Sequence, residues 1–141
     1  MKEIRTEIDI GASPSRVWQV LTDFSSYPQW NPFIRRIEGE PVEGAKLHIH
    51  ITTPAGANRE YSPKVTLVAP EQELRWLGKM PGLLSGEHIF VIERVSEKSV
   101  RLVHREVFGG LLTSFFGSSL DNDVKKGFEE MNAALKKRAE G

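Results

Sequence analysis

Hydrophobic and charged residues alternate along the first ten positions of the chain. Ile4, Thr6, Ile8 and Ile10 fall on one side of an extended backbone, and charged residues fall mostly on the other. This period of two predicts a half-buried β-strand. Gly11 ends the pattern.

A helical pattern follows the first strand. Ser13 before Pro14 is typical of a helix N-cap followed by proline at the first helical position. The helix predicted after this cap turns Val17, Trp18 and Leu21 towards the interior.

The segment YPQWNPFI, residues 27–34, leads from a second short helical turn into the next strand. Pro28 and Pro32 fix the backbone here, and each restricts the residue before it to an extended conformation. We interpret the segment as a rigid corner whose aromatic side chains belong to the core and to one end of a pocket.

Residues 33–108 then show one strand pattern after another, separated by short turns. The predicted strands cover residues 33–38, 47–53, 61–68, 73–78, 88–95 and 100–108. Such spacing favours an antiparallel meander. Pro63 cannot donate to a strand ladder, so it is expected at an edge or a bulge.

The end of the chain changes to a helical period. Val124, Phe128, Met131 and Leu135 recur at helical spacing, which predicts a long amphipathic helix over residues 119–139. Strands followed by a helix indicate the α+β class. The apolar face of a curved sheet must be buried, and this helix is the only predicted element long enough to cover it.

Charge and composition narrow the range of functions. The chain has 19 basic and 19 acidic residues and no basic stripe, so nucleic acid and anionic membranes are poor candidate partners. It has no cysteine, which excludes disulfides, thiolate metal sites and a cysteine nucleophile. No segment resembles a signal peptide or a membrane span. We therefore expect one cytoplasmic domain over residues 1–141.

Several segments, in this order, carry a family resemblance: SPSRVWQVLTDFSSYPQWNPFI, YSPKV, GEHIFVIE, RLVHREVFGGLL and GFEEMNAALKKR. The sequence resembles the polyketide cyclase/dehydrase-like branch of the SRPBCC superfamily, which includes the START and birch-pollen-allergen-like helix-grip proteins. The resemblance implies a seven-stranded curved antiparallel sheet wrapped around the C-terminal helix. It also implies two short helices between strands 1 and 2, and an elongated cavity between sheet and helix.

The last two predicted strands carry the most suggestive polar residues. His104 and Glu106 share a face with the apolar Leu102 and Phe108, so this face is expected to point inward. One interpretation is a general acid/base pair that acts on a bound carbonyl compound, with His104 tuned by Glu106. The other is a buried polar pair that satisfies its own hydrogen bonds inside a cavity.

The pairing of these strands decides which residues meet. A two-residue loop would place His88 and His104 on opposite faces of the sheet. A bulge or an odd loop would pair Ile92 with His104 and Phe90 with Glu106. We expect the second arrangement, which brings two histidines and a glutamate into one pocket.

Three functions remain open at this stage. The leading hypothesis is a module that binds a hydrophobic or aromatic small molecule, lipid-like or polyketide-like, between sheet and helix. The residues expected to contact the ligand are Trp18, Trp30, Phe33, Tyr61, Trp76, His88, Phe90, His104, Glu106, Phe116, Val124 and Phe128. The second hypothesis is a cyclase or dehydratase with His104 and Glu106 as catalytic residues, without metal or cofactor.

The third hypothesis is a protein-interaction module. The apolar segments MPGLLSG, residues 80–86, and LLTSFFG, residues 111–117, could form a partner surface or a flap over the cavity mouth. We expect a monomer or a weak homodimer.

Overall fold

The computed structural model describes residues 2–80, 84–109 and 118–141. Its strands are β1 Lys2–Ile10, β2 Ile34–Glu38, β3 His48–Thr52, β4 Asn58–Tyr61, β5 Lys64–Ala69, β6 Glu73–Met80, β7 Leu84–Ser96 and β8 Ser99–Gly109. Its helices are α1 Pro14–Thr22, a short 3-10 turn Phe24–Ser26, α2 Tyr27–Trp30 and α3 Ser118–Glu140. The predicted α+β class and the order of elements are confirmed.

The strands form one curved antiparallel wall made of two sheets. The larger sheet has the order β1-β8-β7-β6-β5, and the smaller has the order β2-β3-β4. Backbone hydrogen bonds join the sheets, because Leu47 N–H donates to the Pro63 carbonyl (2.8 Å) and Val65 N–H donates to the Ala45 carbonyl (2.9 Å). The wall therefore continues from one sheet to the other.

The strand predicted over residues 61–68 is two strands in the structure, β4 and β5. Pro63 lies between them and has no N–H to donate, so the regular ladder stops there. Its carbonyl still accepts from Leu47. This break explains why the described part of the chain has eight strand segments where the resemblance implied seven strands.

The predicted cap of α1 is confirmed, and its predicted inward face is confirmed for Val17 and Leu21, whereas Trp18 is only partly buried. Ser13 Oγ accepts a hydrogen bond from Arg16 N–H (3.1 Å), and Pro14 occupies the first turn. Val17 and Leu21 are buried against the sheet.

The corner after α1 is held by both packing and hydrogen bonds. Tyr27 is fully buried, and its ring meets the Trp30 ring edge-on with the centroids 5.1 Å apart. The Asn31 side-chain oxygen accepts from the N–H groups of Phe33 (2.9 Å) and Ile34 (2.8 Å). These contacts agree with the interpretation of the segment as a rigid corner.

Asn31 before Pro32 is extended, as predicted, but the prediction is wrong for Tyr27 before Pro28, which is helical (φ −53°, ψ −41°). Pro28 lies in the first turn of α2, where its missing N–H is not needed by the helix.

The long helix α3 packs its apolar stripe into the concave side of the wall. Phe128, Met131 and Leu135 are fully buried. The Phe33 ring meets the Phe128 ring edge-on with the centroids 5.5 Å apart. This approach depends on Gly127, because a Cβ atom at that position would overlap the Phe33 ring.

Polar contacts attach both ends of α3 to the first part of the chain. Near its start, the Asp121 carboxylate pairs with Lys2 Nζ at 2.7 Å. Near its end, the Glu140 carboxylate accepts from Gly11 N–H at 2.6 Å. No helix in the described part of the chain is both long and apolar enough to cross a membrane.

Candidate functional site

Strand pairing arranges the inward side chains of β6, β7, β8 and β1 in three parallel rows. The first, here called the core row, consists of Leu74, Phe90, His104 and Thr6. The second, the polar row, consists of Trp76, His88, Glu106 and Ile4. The third, the glycine row, consists of Gly78, Gly86, Phe108 and Lys2.

A cavity of about 370 Å³ lies over the polar and glycine rows. Its apolar and aromatic wall is formed by Ile4, Phe33, Ile51, Tyr61, Phe108 and Val124. His88 and Glu106 are the polar groups at its inner end, and charged residues such as Lys79 and Asp121 lie along its lining as well. This size and composition are typical of a small-molecule site.

The two glycines explain why there is space at this point. A Cβ atom at Gly86 would lie 2.7 Å from Glu106 Oε2, and one at Gly78 would lie 3.3 Å from the Tyr61 ring. The Glu106 carboxyl group and the Tyr61 ring therefore lie over bare backbone. Larger residues at these two positions would reduce the space that remains.

A hydrogen-bonded network lies behind the cavity wall and involves both sheet and helix. His88 Nε2 lies 2.7 Å from His104 Nε2, and His104 Nδ1 lies 2.8 Å from Asn132 Oδ1 on α3. The Asn132 side-chain N–H donates to Thr6 Oγ1 (2.8 Å), and the Thr6 hydroxyl donates to the His104 carbonyl (2.9 Å). All four side chains are buried.

Aromatic contacts hold the two imidazole rings in place. His104 stacks on Phe128 with the centroids 4.0 Å apart and the planes 9° from parallel. His88 stacks on Trp76 at 5.1 Å and 25°. The rings therefore have little freedom to rotate.

Burial changes the protonation of the polar groups. It lowers the pKa of His88 well below the usual range, and the neighbouring His104 lowers it further. Burial also lowers the pKa of His104 to about 3, although the hydrogen bond to Asn132 acts in the opposite direction. The same desolvation raises the pKa of Glu106 to about 7. At neutral pH both histidines are therefore uncharged, and Glu106 is close to half protonated.

The polar pair that faces the cavity consists of His88 and Glu106. His88 Nδ1 is buried and has no hydrogen-bond partner within the described residues. It lies 3.8 Å from Glu106 Oε1, which is too long for a hydrogen bond. The site therefore has a carboxyl group at the cavity and, directly beside it, an enclosed imidazole nitrogen without a hydrogen-bond partner in the described part of the chain.

The predicted shared face of β7 and β8 is confirmed, but the predicted pairs are displaced by two residues. His88 pairs with Glu106, and Phe90 pairs with His104. A bulge between Arg94 and Ser96 shifts the register. As a result His88, and not His104, lies beside Glu106 at the cavity.

The structure divides the predicted ligand contacts into two groups. The cavity wall includes Phe33, Tyr61, His88, Glu106 and Val124. It does not include Trp18, Trp30, Trp76, Phe90, His104 or Phe128. Trp18 and Trp30 are partly buried against the core, whereas the other four are buried within or beneath the rows. Phe116 lies outside the described residues, and the binding roles of all these side chains stay predictions.

Sequence reasoning missed three apolar residues of the cavity wall, Ile4, Ile51 and Phe108. It also missed two glycines and two buried polar residues that shape the site: Thr6, Gly78, Gly86 and Asn132. Thr6 had a visible signal, since it is the polar member of an otherwise apolar face of β1. Asn132 lies next to the buried Met131, and only the structure shows that it reaches His104. No group of three potential metal ligands occurs within the described ranges. The proposed partner surface falls mostly outside those ranges and also stays a prediction.

Comparison with known families agrees with the fold. Residues 1–140 match the family model described as polyketide cyclase/dehydrase and lipid transport. The chain therefore belongs to this family. No functionally curated protein matches it.

Solved structures with the same fold cover nearly the whole chain. A START superfamily protein from Mycobacterium smegmatis is 19% identical, with a TM-score of 0.78 and coverage of 98% of this chain and 97% of that chain. The ZhuI aromatase/cyclase from Streptomyces sp. R1128 is 15% identical, with a TM-score of 0.77 and coverage of 99% and 93%. Norcoclaurine synthase from Thalictrum flavum is 14% identical, with a TM-score of 0.69 and coverage of 98% and 93%. At these identities the likeness extends to the helix-grip fold alone.

Proposed function

We propose that this protein binds a hydrophobic or aromatic small molecule, lipid-like or polyketide-like, in the cavity between the sheet and α3. The observation that carries the proposal is the cavity of about 370 Å³, with a mostly apolar wall and two polar groups at its inner end. Small-molecule sites commonly combine an apolar surface with a few well-placed polar groups that orient the ligand. His88 and Glu106 supply those groups here.

The cavity differs from a packing defect in the core. Defects in protein cores are small and dry, because side chains pack as densely as in molecular crystals. This cavity spans the sheet, the corner and the helix, and it includes a carboxyl group and charged residues. Keeping such groups beside an apolar space costs folding free energy, which points to binding as its purpose.

The proposal is tested by filling the cavity. Val124 lies in the wall, whereas Val95 is an exposed surface residue. Val124→Phe introduces a ring into the cavity and should weaken binding of naphthol, an aromatic fluorescent probe, by about tenfold or more. Val95→Phe makes the same chemical change on the surface and serves as the matched control.

The readouts are a naphthol fluorescence titration and native mass spectrometry of freshly purified protein. Saturable binding that Val124→Phe weakens and Val95→Phe leaves unchanged supports the proposal. A co-purified apolar compound that is lost from Val124→Phe alone would support it as well. If both variants bind the probe as wild type does, the cavity is not the binding site.

A second candidate function is acid–base catalysis of the cyclase or dehydratase type. The supporting observation is the Glu106 carboxyl group, whose pKa is raised to about 7, beside the unpaired His88 Nδ1. In this version His88 takes the position beside Glu106 that sequence reasoning gave to His104. With a polyketide-like carbonyl substrate, Glu106→Gln should abolish turnover while binding persists. If the protein only carries the compound, Glu106→Gln should change its affinity and there is no turnover to lose.

A further inference from the structure

The buried network assigns a hydrogen-bonding direction to every contact. The His104 carbonyl can only accept, so the Thr6 hydroxyl must donate its one proton to it. The contact between Asn132 and Thr6 then needs a proton from the amide nitrogen of Asn132. This orientation turns Asn132 Oδ1, an acceptor, towards His104 Nδ1.

The same reasoning continues through the two imidazole rings. Because Asn132 Oδ1 accepts, His104 carries its proton on Nδ1 and has a lone pair on Nε2. The contact of 2.7 Å between the two Nε2 atoms then needs a proton on His88 Nε2. A neutral His88 protonated at Nε2 has a lone pair on Nδ1, the atom that lacks a partner beside Glu106.

We propose that Asn132 is a positioning residue that fixes the tautomer of His88 through His104, so that the cavity selects ligands with an O–H or N–H donor at their inner end. Thr6 holds Asn132 in the required orientation. This inference rests on the proposed function for its ligand, but the tautomers themselves do not depend on any ligand. Among the described residues, His88 Nδ1 is enclosed and unpaired in the absence of a ligand. A ligand donor that displaces the Glu106 carboxyl group, 3.8 Å away, therefore gains a hydrogen bond that a ligand with only acceptor or apolar atoms cannot make.

The first test measures the tautomers directly in the full chain. Long-range proton–nitrogen correlation spectra distinguish protonated from unprotonated ring nitrogens. The expected result at neutral pH is a proton on Nδ1 of His104 and on Nε2 of His88. The other two histidines, His48 and His50, lie on the outward face of β3, and replacing each with glutamine identifies its signals. A proton on Nδ1 of His88 would overturn the proposal.

The second test measures selectivity with two probes of similar shape, naphthol and methylnaphthalene. The hydroxyl of naphthol can donate to His88 Nδ1, and the methyl group cannot. We expect Asn132→Leu to lower the ratio of naphthol affinity to methylnaphthalene affinity by about fivefold to tenfold, the worth of one buried hydrogen bond. The histidine spectra of the variant should also lose the single set of tautomers.

A matched control separates positioning from general loss of stability. Thr53 is buried and accepts from Ala57 N–H, and it does not line the cavity. Thr53→Val should leave both the probe ratio and the histidine spectra unchanged. If wild type binds both probes and Asn132→Leu keeps the same ratio, the inference fails while the proposed function stands. If wild type binds neither probe, the proposed function fails, and the spectra still decide the tautomers.

Discussion

Burial acts in opposite directions on the acid and the bases of the site. Burial disfavours the charged form of each group, so it raises the pKa of Glu106 and lowers the pKa of His88 and of His104. Around neutral pH both histidines are therefore uncharged, and about half of the Glu106 carboxyl groups are ionised. Under the proposed function, an apolar ligand that binds the form with protonated Glu106 meets hydrogen-bonding groups without a full charge, which limits the desolvation cost of binding.

The raised pKa of Glu106 predicts a specific dependence of stability on pH. Its pKa rises from 4.5 to about 7 on folding, so the folded state holds the proton more tightly. The associated stability is fully present below about pH 4.5 and is lost as the pH rises through about 7. Glu106→Gln removes this dependence, so the variant should be more stable than wild type at about pH 9, by up to about 3 kcal/mol.

Urea unfolding of both proteins at about pH 5 and about pH 9 measures this difference. The comparison also separates the contribution of Glu106 to the pH dependence of stability from that of the two histidines. Their lowered pKa values contribute stability that is present above about pH 6.5 and lost as the pH falls, and both proteins share this contribution. A stability difference that does not change between the two pH values would contradict the assignment.

At the scale of single elements, α3 and the corner depend on one close contact. Gly127 has no side chain, and the Phe33 ring occupies the space where a Cβ atom would lie. Glycine is normally the weaker choice inside a helix, by about 1 kcal/mol relative to alanine. Its presence here is explained by packing.

This contact predicts that Gly127→Ala has opposite effects on the free energy of unfolding in wild type and in a Phe33→Leu variant. In wild type, Gly127→Ala should lower the free energy of unfolding by about 1–2 kcal/mol, because overlap with the ring outweighs the gain in helix propensity. In a Phe33→Leu background the same substitution should be neutral or stabilising. Urea unfolding of the four proteins in this double-mutant cycle gives the coupling. Equal effects in both backgrounds would show that the ring and the helix do not interact.

The hairpin of β7 and β8 shows how far sequence reasoning reaches. Alternation predicted that His104 and Glu106 share a face, and the pairing that gathers the apolar residues inside predicted that His88 joins them; the structure confirms both. Alternation cannot predict the partners, since a shift of two residues leaves every side chain on the same face. The bulge between Arg94 and Ser96 leaves one residue of β7 unpaired, and because the extra residue is in β7, His88 and not His104 lies beside Glu106 at the cavity.

The other elements were predictable for local reasons. The cap at Ser13, the proline corner and the apolar stripe of α3 each depend on a few neighbouring residues. The cavity could not be predicted from the sequence, because it depends on Gly78 and Gly86 lying opposite each other in the paired strands β6 and β7. Which residues lie opposite each other is set by the strand register, and the hydrophobic pattern of a single strand does not determine that register.

At the scale of the whole molecule, the interior changes from filled to open along α3. The core row is packed with Leu74, Phe90 and His104, all fully buried. Two rows further along, the two glycines leave space. One continuous interior thus serves both as the folding core and as the cavity, and stability and binding share its volume.

This shared volume predicts a trade-off at Gly78. Alanine reduces the backbone entropy of the unfolded chain, so Gly78→Ala should raise the free energy of unfolding by up to about 1 kcal/mol. The added methyl group would lie 3.3 Å from the Tyr61 ring, which must shift. The ring lines the cavity, so naphthol affinity should fall by about threefold or more.

Thermal unfolding and naphthol titration of the same preparation check both halves of this prediction. Thr53→Val again serves as a control, since it changes a buried side chain outside the cavity wall. If Gly78→Ala leaves naphthol affinity unchanged, the bound probe does not approach Tyr61.

Because the core row is filled, the two ends of the proposed site differ. Under the proposed function, a bound guest meets His88 and Glu106 at one end of the apolar wall, and beyond them the interior is occupied. Molecules that share the end that contacts this polar pair can differ in length at the other, so the protein is suited to a homologous series of compounds and not to one fixed shape.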